Sequence, residues 1–227
     1  MESIIKTLSD AIYFNLIREQ RYVLFISGLG ISLQLTLYSA LLGTLIGLFL
    51  ALAKLGRVKW LEGLVTAYVD IIRGTPAVVQ LVLIYYAILG SSSLPKIAVA
   101  SIAFGLNSGA YVCELIRAGI MAVDKGQMEA ARSLGFSYAR SMIYIIIPQA
   151  IKNILPALGN EFIVLLKETA IAGYIALDDL TRAGDIVRGR TFDAYTPFIL
   201  VAIIYLLITS ILTRLMGGLE RRLHASD

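Results

Sequence analysis

The segment Asp124–Pro148, DKGQMEAARSLGFSYARSMIYIIIP, is a polar interval between two long apolar runs. Asp124 is a residue type that caps helix N-termini, and Gly135 can end that helix in the left-handed conformation that glycine adopts at little cost. Ser137 offers a second cap, for a helix that returns to the membrane. A helix over this segment places three apolar residues on one face: Met128, Ala131 and Leu134. We therefore expect a short amphipathic helix on the membrane surface, with an apolar face suited to docking.

The composition of the chain is that of a membrane protein. Of its 227 residues, 58% are apolar and only 16% are charged, and the mean hydropathy is +0.78. Soluble domains contain about 25% charged and about 45–50% apolar residues. We therefore expect one integral membrane domain over residues 1–227, with no soluble module. A single cysteine, Cys113, excludes an intrachain disulfide, and with the lone His224 it gives no basis for a His/Cys metal site.

Apolar runs along the chain predict an all-α, polytopic membrane bundle of five transmembrane helices. These cover about residues 23–53, 61–87, 96–121, 141–166 and 194–216. The first run exceeds the ~20 residues that span a bilayer. An amphipathic pattern over residues 1–21 predicts an N-terminal interfacial helix, and residues 124–140 form what we call the surface loop. Gly43 and Gly47 form a Gly-x-x-x-Gly pair, which permits close packing either within the subunit or with a second copy.

The distribution of basic residues predicts the orientation in the membrane. They concentrate in the loop after the first span, in the surface loop and in the C-terminal tail: Lys54, Arg57, Lys59, Lys125, Arg132, Arg140, Arg214, Arg221 and Arg222. These regions are therefore expected in the cytoplasm, with the N-terminus and residues 167–193 outside. The polar segment 167–193 is either a short helix pair that docks an extracytoplasmic partner or a solvated connector.

Charged and polar residues interrupt the second apolar run near its middle. Asp70, Arg73 and Thr75 surround Gly74 and Pro76, two residue types that break helices. Thr75 is predicted to cap a new half-helix, whose free N–H groups would point into a cavity and hold an anionic group of a substrate. The alternative is that Asp70 and Arg73, three residues apart, form a structural ion pair.

Three further groups of polar residues lie in later spans. Asn107, Tyr111 and Glu114 share one helix face, so they could line a cavity, hydrogen-bond neighbouring helices, or, for Glu114, pair with Arg117. Glu161 is a lone acid in an apolar helix, a candidate for binding a cationic or ammonium group, or else for a structural ion pair with Arg73. Three residues at the end of that span are predicted to close the cavity on the outer side: Lys167, Glu168 and Thr169.

The sequence from Glu129 to Pro148, EAA-x3-G-x9-I-x-IP, resembles the EAA loop of permease subunits of ATP-binding-cassette (ABC) importers. Ile147 stands where that family usually has leucine. In that family the loop is the coupling helix, which sits in a groove of the cytoplasmic ATPase. The resemblance implies a coupling role for Glu129, Ala130, Ala131, Leu134 and Gly135. Periodicity alone would equally suit an ordinary surface helix between spans.

The resemblance extends from the first span to about Thr169 and points to the polar-amino-acid uptake branch of these importers. It rests on residues 70–76 (DIIRGTP), on residues 107–111 (NSGAY) with Glu114-x-x-Arg117-x-Gly119-Ile120, and on residues 162–169 (FIVLLKET). It implies a multi-pass protein of the bacterial cytoplasmic (inner) membrane that works by alternating access. It also implies a midplane substrate role for Asp70, Arg73, Asn107 and Glu161.

The same resemblance implies the partners of the chain. They are two cytoplasmic ATPase subunits, a second permease subunit that is identical or paralogous, an extracytoplasmic solute-binding protein and an amino acid, with no nucleic acid. The sequence has no Gly-x-x-x-x-Gly-Lys-Ser/Thr element, so we expect no cofactor in this chain, with ATP and Mg²⁺ bound by the partner ATPase. The chain is thus expected to be a transporter subunit rather than an enzyme. Two alternatives are an ion-coupled secondary transporter, in which Glu161 or Asp70 titrates, and a membrane scaffold without transport.

Overall fold

The computed structural model describes residues 10–56 and 58–224, and the regular elements in these ranges are all helical. Nine α-helices follow one another: α1 Tyr22–Leu55, α2 Lys59–Arg73, α3 Ala77–Val82, α4 Lys96–Met121, α5 Lys125–Ser133, α6 Tyr138–Ser141, α7 Ile147–Glu168, α8 Leu180–Thr191 and α9 Thr196–His224. Tighter or wider helical turns extend or join them: Tyr13–Ile17, Arg18–Gln20, Leu83–Ile88, Met142–Ile146 and Thr169–Ile175. The all-α prediction is confirmed.

Four helical stretches in the described part of the chain are long and apolar enough to cross a membrane. They are α1, α4, the continuous stretch Tyr138–Ile175 and Thr196–Arg221 of α9. The predicted second span is a bent pair instead, in which α2 meets the stretch Ala77–Ile88 at 104°. Counted as one span, this pair makes the fifth. The last two membrane helices also extend several residues beyond their predicted ends.

Glycines bring α1 and α4 into backbone contact. A Cβ atom added at Gly43 would lie 2.8 Å from the Cβ of Ser108, and one added at Gly47 would lie 2.5 Å from the Cβ of Val112. No side chain larger than hydrogen fits at either position without a shift of α4. The Gly-x-x-x-Gly pair therefore serves packing within the subunit, which settles the alternative left open by the sequence.

Segment 167–193 is packed into the bundle, so its interpretation as a solvated connector is wrong. Leu180 and Val187 of α8 are fully buried and form a cluster with Phe25 of α1 and Val201 of α9. The cap of α8, Asp179, is also fully buried, and its carboxylate accepts hydrogen bonds from the backbone N–H groups of the next helical turn. Burial raises the pKa of Asp179 to about 6, against these hydrogen bonds, which favour the charged form.

The described part of the predicted N-terminal helix is attached to the turn between α8 and α9. Residues 1–9 lie outside the described residues. Asn15 is fully buried and donates a hydrogen bond of 2.8 Å to the carboxylate of Asp193. Burial acts to raise the pKa of Asp193, but hydrogen bonds, including those from Thr196 and Asn15, outweigh it and lower the pKa to about 2. The prediction of one helix up to residue 21 is wrong at its end, because Glu19 has a φ of 56°.

Candidate functional site

The interruption between α2 and α3 follows from the residues at its centre. The backbone N–H of Gly74 still donates to the Asp70 carbonyl at 2.8 Å, but Pro76 has no N–H with which to continue the helix. Pro76 occupies the N-cap position of α3, and its side chain makes no capping hydrogen bond. The prediction that Thr75 caps the new helix is wrong, since its hydroxyl donates backwards to the carbonyl of Ile71 at 2.8 Å.

A glutamine that the sequence reasoning missed completes this interruption. The side-chain amide of Gln80 donates to the carbonyl of Ile72 at 2.7 Å and to the hydroxyl of Thr75 at 2.7 Å. Its carbonyl oxygen accepts a hydrogen bond of 2.9 Å from Asn107 of α4. The available signal was a lone amide four residues after a proline in an apolar run.

Asn107 therefore does not line a cavity in this conformation. Only 4% of the residue is exposed, and its amide bonds to Gln80 across the helix interface. The cavity-lining interpretation is wrong for this side chain, and the alternative of an interhelical hydrogen bond is correct. Any effect of Asn107 on a substrate must pass through Gln80 or a movement of α4.

Asp70, Arg73 and Thr75 are exposed at the interruption, as a substrate contact requires. Among the described residues no ion pair joins Asp70 to Arg73, so the structural-pair alternative is not formed. The guanidinium of Arg73 instead lies over the ring of Tyr111 on α4, 5.3 Å from its centroid. Such a contact holds a cation against a neutral surface and leaves its N–H groups free to bind an anion.

Glu161 lies on α7, in a separate cavity of about 160 Å³ between α1, α4 and α7. Its carboxylate accepts one hydrogen bond of 3.1 Å from the hydroxyl of Ser108, and no ion pair with Arg73 is formed within the described ranges. The remaining wall is almost entirely apolar: Leu37, Ala40, Leu41, Thr44, Val112, Leu158, Phe162 and Leu165. A half-buried carboxylate with a single neutral donor in such surroundings attracts a cationic group.

Two of the three predicted residues at the end of this helix differ in exposure. Lys167 is exposed, whereas Thr169 is fully buried and donates its hydroxyl hydrogen to the Leu166 carbonyl at 2.7 Å. A direct substrate contact by Thr169 is contradicted in this conformation. The cavity of Glu161 is lined by neither of these residues, nor by those at the interruption between α2 and α3. The structure thus separates the predicted substrate residues into two sites. Asp70, Arg73 and Thr75 form what we call the interruption group, and Glu161 lies apart in its own cavity.

Glu114 forms a structural ion pair, as one of the predicted alternatives held. Its carboxylate lies 2.8 Å from Arg117 on the same helix and 2.6 Å from Lys54 near the end of α1. Glu114 thus offsets one of the two positive charges at this contact between α1 and α4. In the described part of the chain, no group of three or more Cys, His, Asp or Glu residues could hold a metal ion.

The surface loop has the local structure that its sequence predicts. The carboxylate of Asp124 accepts a hydrogen bond of 2.7 Å from the Gly126 backbone, and α5 starts at the next residue. Gly135 has a φ of 86°, in the left-handed region, and the hydroxyl of Ser137 accepts from the Arg140 backbone at 3.3 Å. The caps and the glycine turn are confirmed.

The predicted apolar docking face of α5 is only partly correct. Leu134 is 79% exposed, and Glu129 and Ala130 are also exposed, so a partner can reach them. Ala131 is 2% exposed and is covered by its own chain. Met128 packs with the apolar cluster at the start of α7. The exposed surface of α5 and of Leu134 therefore contains charged residues of both signs beside apolar ones, and Ala131 is not part of it.

Comparisons with known proteins agree with this architecture. Residues 43–225 match the family described as "Binding-protein-dependent transport system inner membrane component". The chain is 39% identical over 204 residues to the arginine transport system permease protein ArtQ of Bacillus subtilis (strain 168), covering 89% of this chain and 93% of the relative. It is 40% identical over 215 residues to the putative glutamine transport system permease protein GlnP of Rickettsia bellii (strain RML369-C), covering 93% and 98%.

Solved structures have the same fold. The structure described as "Crystal structure of an amino acid ABC transporter with histidines" superposes with a TM-score of 0.85 at 50% identity, over 88% of this chain and 94% of that chain. A methionine ABC transporter in inward-facing conformations, MetNI, superposes with a TM-score of 0.78 over 90% and 98%. At 19% identity, the second likeness shows the fold alone.

Proposed function

Since the chain belongs to the family of binding-protein-dependent transport system inner membrane components and is the permease subunit of an amino-acid ABC importer, we propose that it translocates a basic amino acid by alternating access. Glu161 is the single observation that carries the choice of a basic substrate. Its carboxylate lies in an apolar cavity near the middle of the membrane helices, and among the described residues its one hydrogen-bond donor is the hydroxyl of Ser108. A guanidinium or ammonium group supplies the charge that this site lacks.

The interruption group is proposed to hold the other end of the substrate. Arg73 is exposed and its charge is opposed by no acid in the described part of the chain, so it can bind the α-carboxylate, while Asp70 can bind the α-ammonium group. Thr75 borders the same exposed surface. Lys167 is proposed to act at the outer rim, and the buried Asn107 and Thr169 to act only through their neighbours. Bringing Glu161 and the interruption group to one ligand requires a movement of helices, which alternating access supplies.

The exposed residues of α5 are proposed to couple this movement to the partner ATPase. Of the five residues with a predicted coupling role, four are exposed: Glu129, Ala130, Leu134 and Gly135. In this proposal two ATPase subunits bind ATP and Mg²⁺ in the cytoplasm, and two permease subunits pair in the membrane. An extracytoplasmic solute-binding protein delivers the amino acid. The surface loop and the C-terminus then face the cytoplasm and the N-terminus faces outward. Neither the family nor the solved neighbours supports the ion-coupled alternative, and we do not propose it.

The substrate proposal is tested by uptake of radiolabelled L-arginine and L-glutamine into cells that depend on this chain. Glu161→Gln removes the charge with little change in shape. We expect it to raise the KM for L-arginine about tenfold to a hundredfold, the loss typical of a charged hydrogen bond. Glu62→Gln, the same change at an exposed glutamate of α2, is the control and should leave the KM unchanged. Uptake of L-glutamine but not L-arginine by the native chain would contradict the proposal.

The coupling proposal is tested by mild extraction of the tagged chain from its native membrane. Glu129→Lys should lose the copurifying ATPase because it reverses an exposed charge of α5. Asp178→Lys is a matched control, with the same charge change next to Asp179, at the opposite end of the bundle where α8 meets the start of α1. Retention of the ATPase by the Glu129 variant, or its loss from both variants, would contradict the docking role of the surface loop.

A further inference from the structure

The interruption between α2 and α3 leaves carbonyl groups without their helical partners inside a membrane segment. In a continuous helix the carbonyl of Ile72 would accept from the N–H of residue 76, but that residue is Pro76 and has none. An unpaired carbonyl in the hydrocarbon region costs several kcal/mol. Some other donor must therefore pair with Ile72.

Gln80 is that donor. Its Nε2 atom lies 2.7 Å from the carbonyl oxygen of Ile72, 2.7 Å from the hydroxyl of Thr75 and 3.2 Å from the carbonyl oxygen of Thr75. The Thr75 hydroxyl donates its own hydrogen to Ile71, so it is free to accept. The amide has two hydrogens for three acceptors, which makes the 3.2 Å contact the weakest of the three.

These acceptors also fix the orientation of the amide. If the Gln80 side chain were turned over, its oxygen would face three oxygen atoms, and its nitrogen would face the nitrogen of Asn107. In the observed orientation the Gln80 oxygen accepts from Asn107 at 2.9 Å. Gln80 is 9% exposed, so its polar groups are occupied by the protein and are unavailable to a substrate.

The amide therefore joins the interruption to α4 in a defined geometry. One turn further along α4, the ring of Tyr111 supports the guanidinium of Arg73, 5.3 Å from the ring centroid. Gln80 of α3 and Arg73 of α2 thus each contact α4, and both contacts lie beside the exposed residues of the interruption group. A change in the bend would move Asp70 and Arg73 relative to α4.

We propose that Gln80 is the positioning residue of the transport site: its side-chain amide maintains the bend between α2 and α3 and so sets the position of Asp70, Arg73 and Thr75 for the substrate. The expected effect on transport rests on the proposed function. The expected effect on the bend rests only on the hydrogen bonds of Gln80. The two consequences are tested separately.

The structural test is a distance between spin labels at Leu64 of α2 and Ile88 beyond α3, two exposed positions, in a full-length chain with Cys113→Ala. A straight helix would separate these positions by about 36 Å, because each residue adds about 1.5 Å. The bent pair holds them closer. We expect Gln80→Leu to broaden the distance distribution and to extend it toward longer distances, because the hydrogen bonds of Gln80 no longer hold the bend.

Two control variants sharpen the distance test. Thr75→Ala removes one acceptor but leaves the Gln80 bonds to both backbone carbonyls, so the native distance should persist. Gln34→Leu repeats the substitution at an exposed glutamine of α1 and should also leave it unchanged. If Gln80→Leu is not recovered from the membrane, Asn107→Leu removes the donor to Gln80 and should shift the distance in the same direction. A native distance distribution in Gln80→Leu, or in Asn107→Leu where that variant stands in, would overturn the inference.

The transport test separates positioning from stability. Pro76→Ala returns an N–H that can pair with Ile72, so the double variant Gln80→Leu/Pro76→Ala should be recovered at the native level in the membrane. Its bend is nevertheless lost, and we expect uptake of L-arginine to stay at least tenfold below native. If Gln80 only stabilised the protein, the double variant would regain uptake together with its native level in the membrane. That result would overturn the positioning role. The distance test remains valid even if the native chain does not carry L-arginine.

Discussion

Two of the breaks between helices contain a glycine that starts the break or lies within it: Gly74-Thr75-Pro76 between α2 and α3, and Leu134-Gly135-Phe136-Ser137 between α5 and α6. At the surface, the hydroxyl of Ser137 pairs with a backbone group three residues away. In the membrane segment, the free carbonyls are paired by Gln80, which is itself held by Asn107, 27 residues further on. Water can satisfy the remaining polar groups of the surface interruption, whereas the carbonyl groups of the interruption in the membrane segment need donors from the protein.

The two glycines illustrate the same difference. Gly135 is required for its backbone conformation, with a φ of 86°, and nothing lies within 4 Å of where its Cβ would be. Gly74 has an ordinary φ of −86°, but a Cβ there would lie 2.7 Å from the carbonyl oxygen of Asp70. The surface glycine thus relieves local strain, whereas the membrane glycine makes room for a close backbone approach.

The largest effect is expected from Gly74→Val. The added side chain must displace the Asp70 carbonyl, which costs about 3 kcal/mol or more as an overpacking change. Uptake should fall at least tenfold, since the interruption group moves with the backbone. Gly135→Val, which meets no atom but is strained by its positive φ, should cost only about 1–2 kcal/mol. Thermal unfolding of both extracted variants measures the difference, and an equal loss of stability would remove this distinction between the two interruptions.

A second comparison concerns two aspartates that cap helices, Asp124 in water and Asp179 in the interior. Burial raises the pKa of Asp179 from 3.8 to about 6, so between these values the folded chain binds more protons than the unfolded chain. Stability should therefore decrease as pH rises from about 4 to about 6, by up to about 3 kcal/mol, and then level off. Asp179→Asn keeps a capping side chain and should remove this decrease.

The measurement is the thermal midpoint of the extracted chain against pH, native minus Asp179→Asn, so that the other carboxyl groups cancel. Asp193→Asn is the control. The pKa of Asp193 is lowered to about 2, so its stabilising effect is lost only as pH falls through about 4 to about 2. If the difference in thermal midpoint stayed constant between pH 4 and pH 6, it would contradict the conclusion that burial raises the pKa of Asp179.

A smaller effect is expected at the exposed caps of the surface loop. Asp124→Ala and Ser137→Ala each remove one local hydrogen bond and should each cost about 1 kcal/mol of local helix stability. Hydrogen exchange should rise for the first amides of α5 in Asp124→Ala and for those of α6 in Ser137→Ala, while the distance between Leu64 and Ile88 stays native. A change in that distance would mean that the two interruptions are coupled, against the view that the surface one is local.

The smallest effect is expected from Gly135→Asn. Asparagine also adopts the left-handed conformation, and the position has free space around it. Stability and copurification of the ATPase should remain close to native. A marked loss of the ATPase with unchanged stability would show instead that the partner contacts the backbone of this residue closely.

Local features were the most predictable part of the molecule. The caps at Asp124 and Ser137 and the turn at Gly135 depend on residues within a few positions, so the sequence alone located them. Long apolar runs likewise located the membrane helices to within a few residues, although the helices ended later than the charges suggested. The packing of Gly43 and Gly47 was recognised, but its partner α4 could not be identified from spacing alone.

The candidate site was less predictable because its contacts join distant parts of the chain. The pairing of Asn107 with Gln80 and the isolation of Glu161 from Arg73 depend on which helix faces meet. The burial of Ala131 depends on how α5 lies against the start of α7. Gly74 and Pro76 predicted the bend. Gln80, whose amide pairs with the carbonyl groups at the bend, was not recognised because it lies in an apolar run.

The backbone contact of α1 and α4 has a mechanical consequence. Gly43 and Gly47 bring α1 so close to Ser108 and Val112 of α4 that even an added Cβ atom would not fit. Such close packing favours movement of α1 and α4 as one unit, and α1 alone is about 51 Å long at 1.5 Å per residue over its 34 residues. Only residues 122–124 separate α4 from α5. If the partner ATPase moves α5 as proposed, this short connection would pass the movement directly to the packed pair.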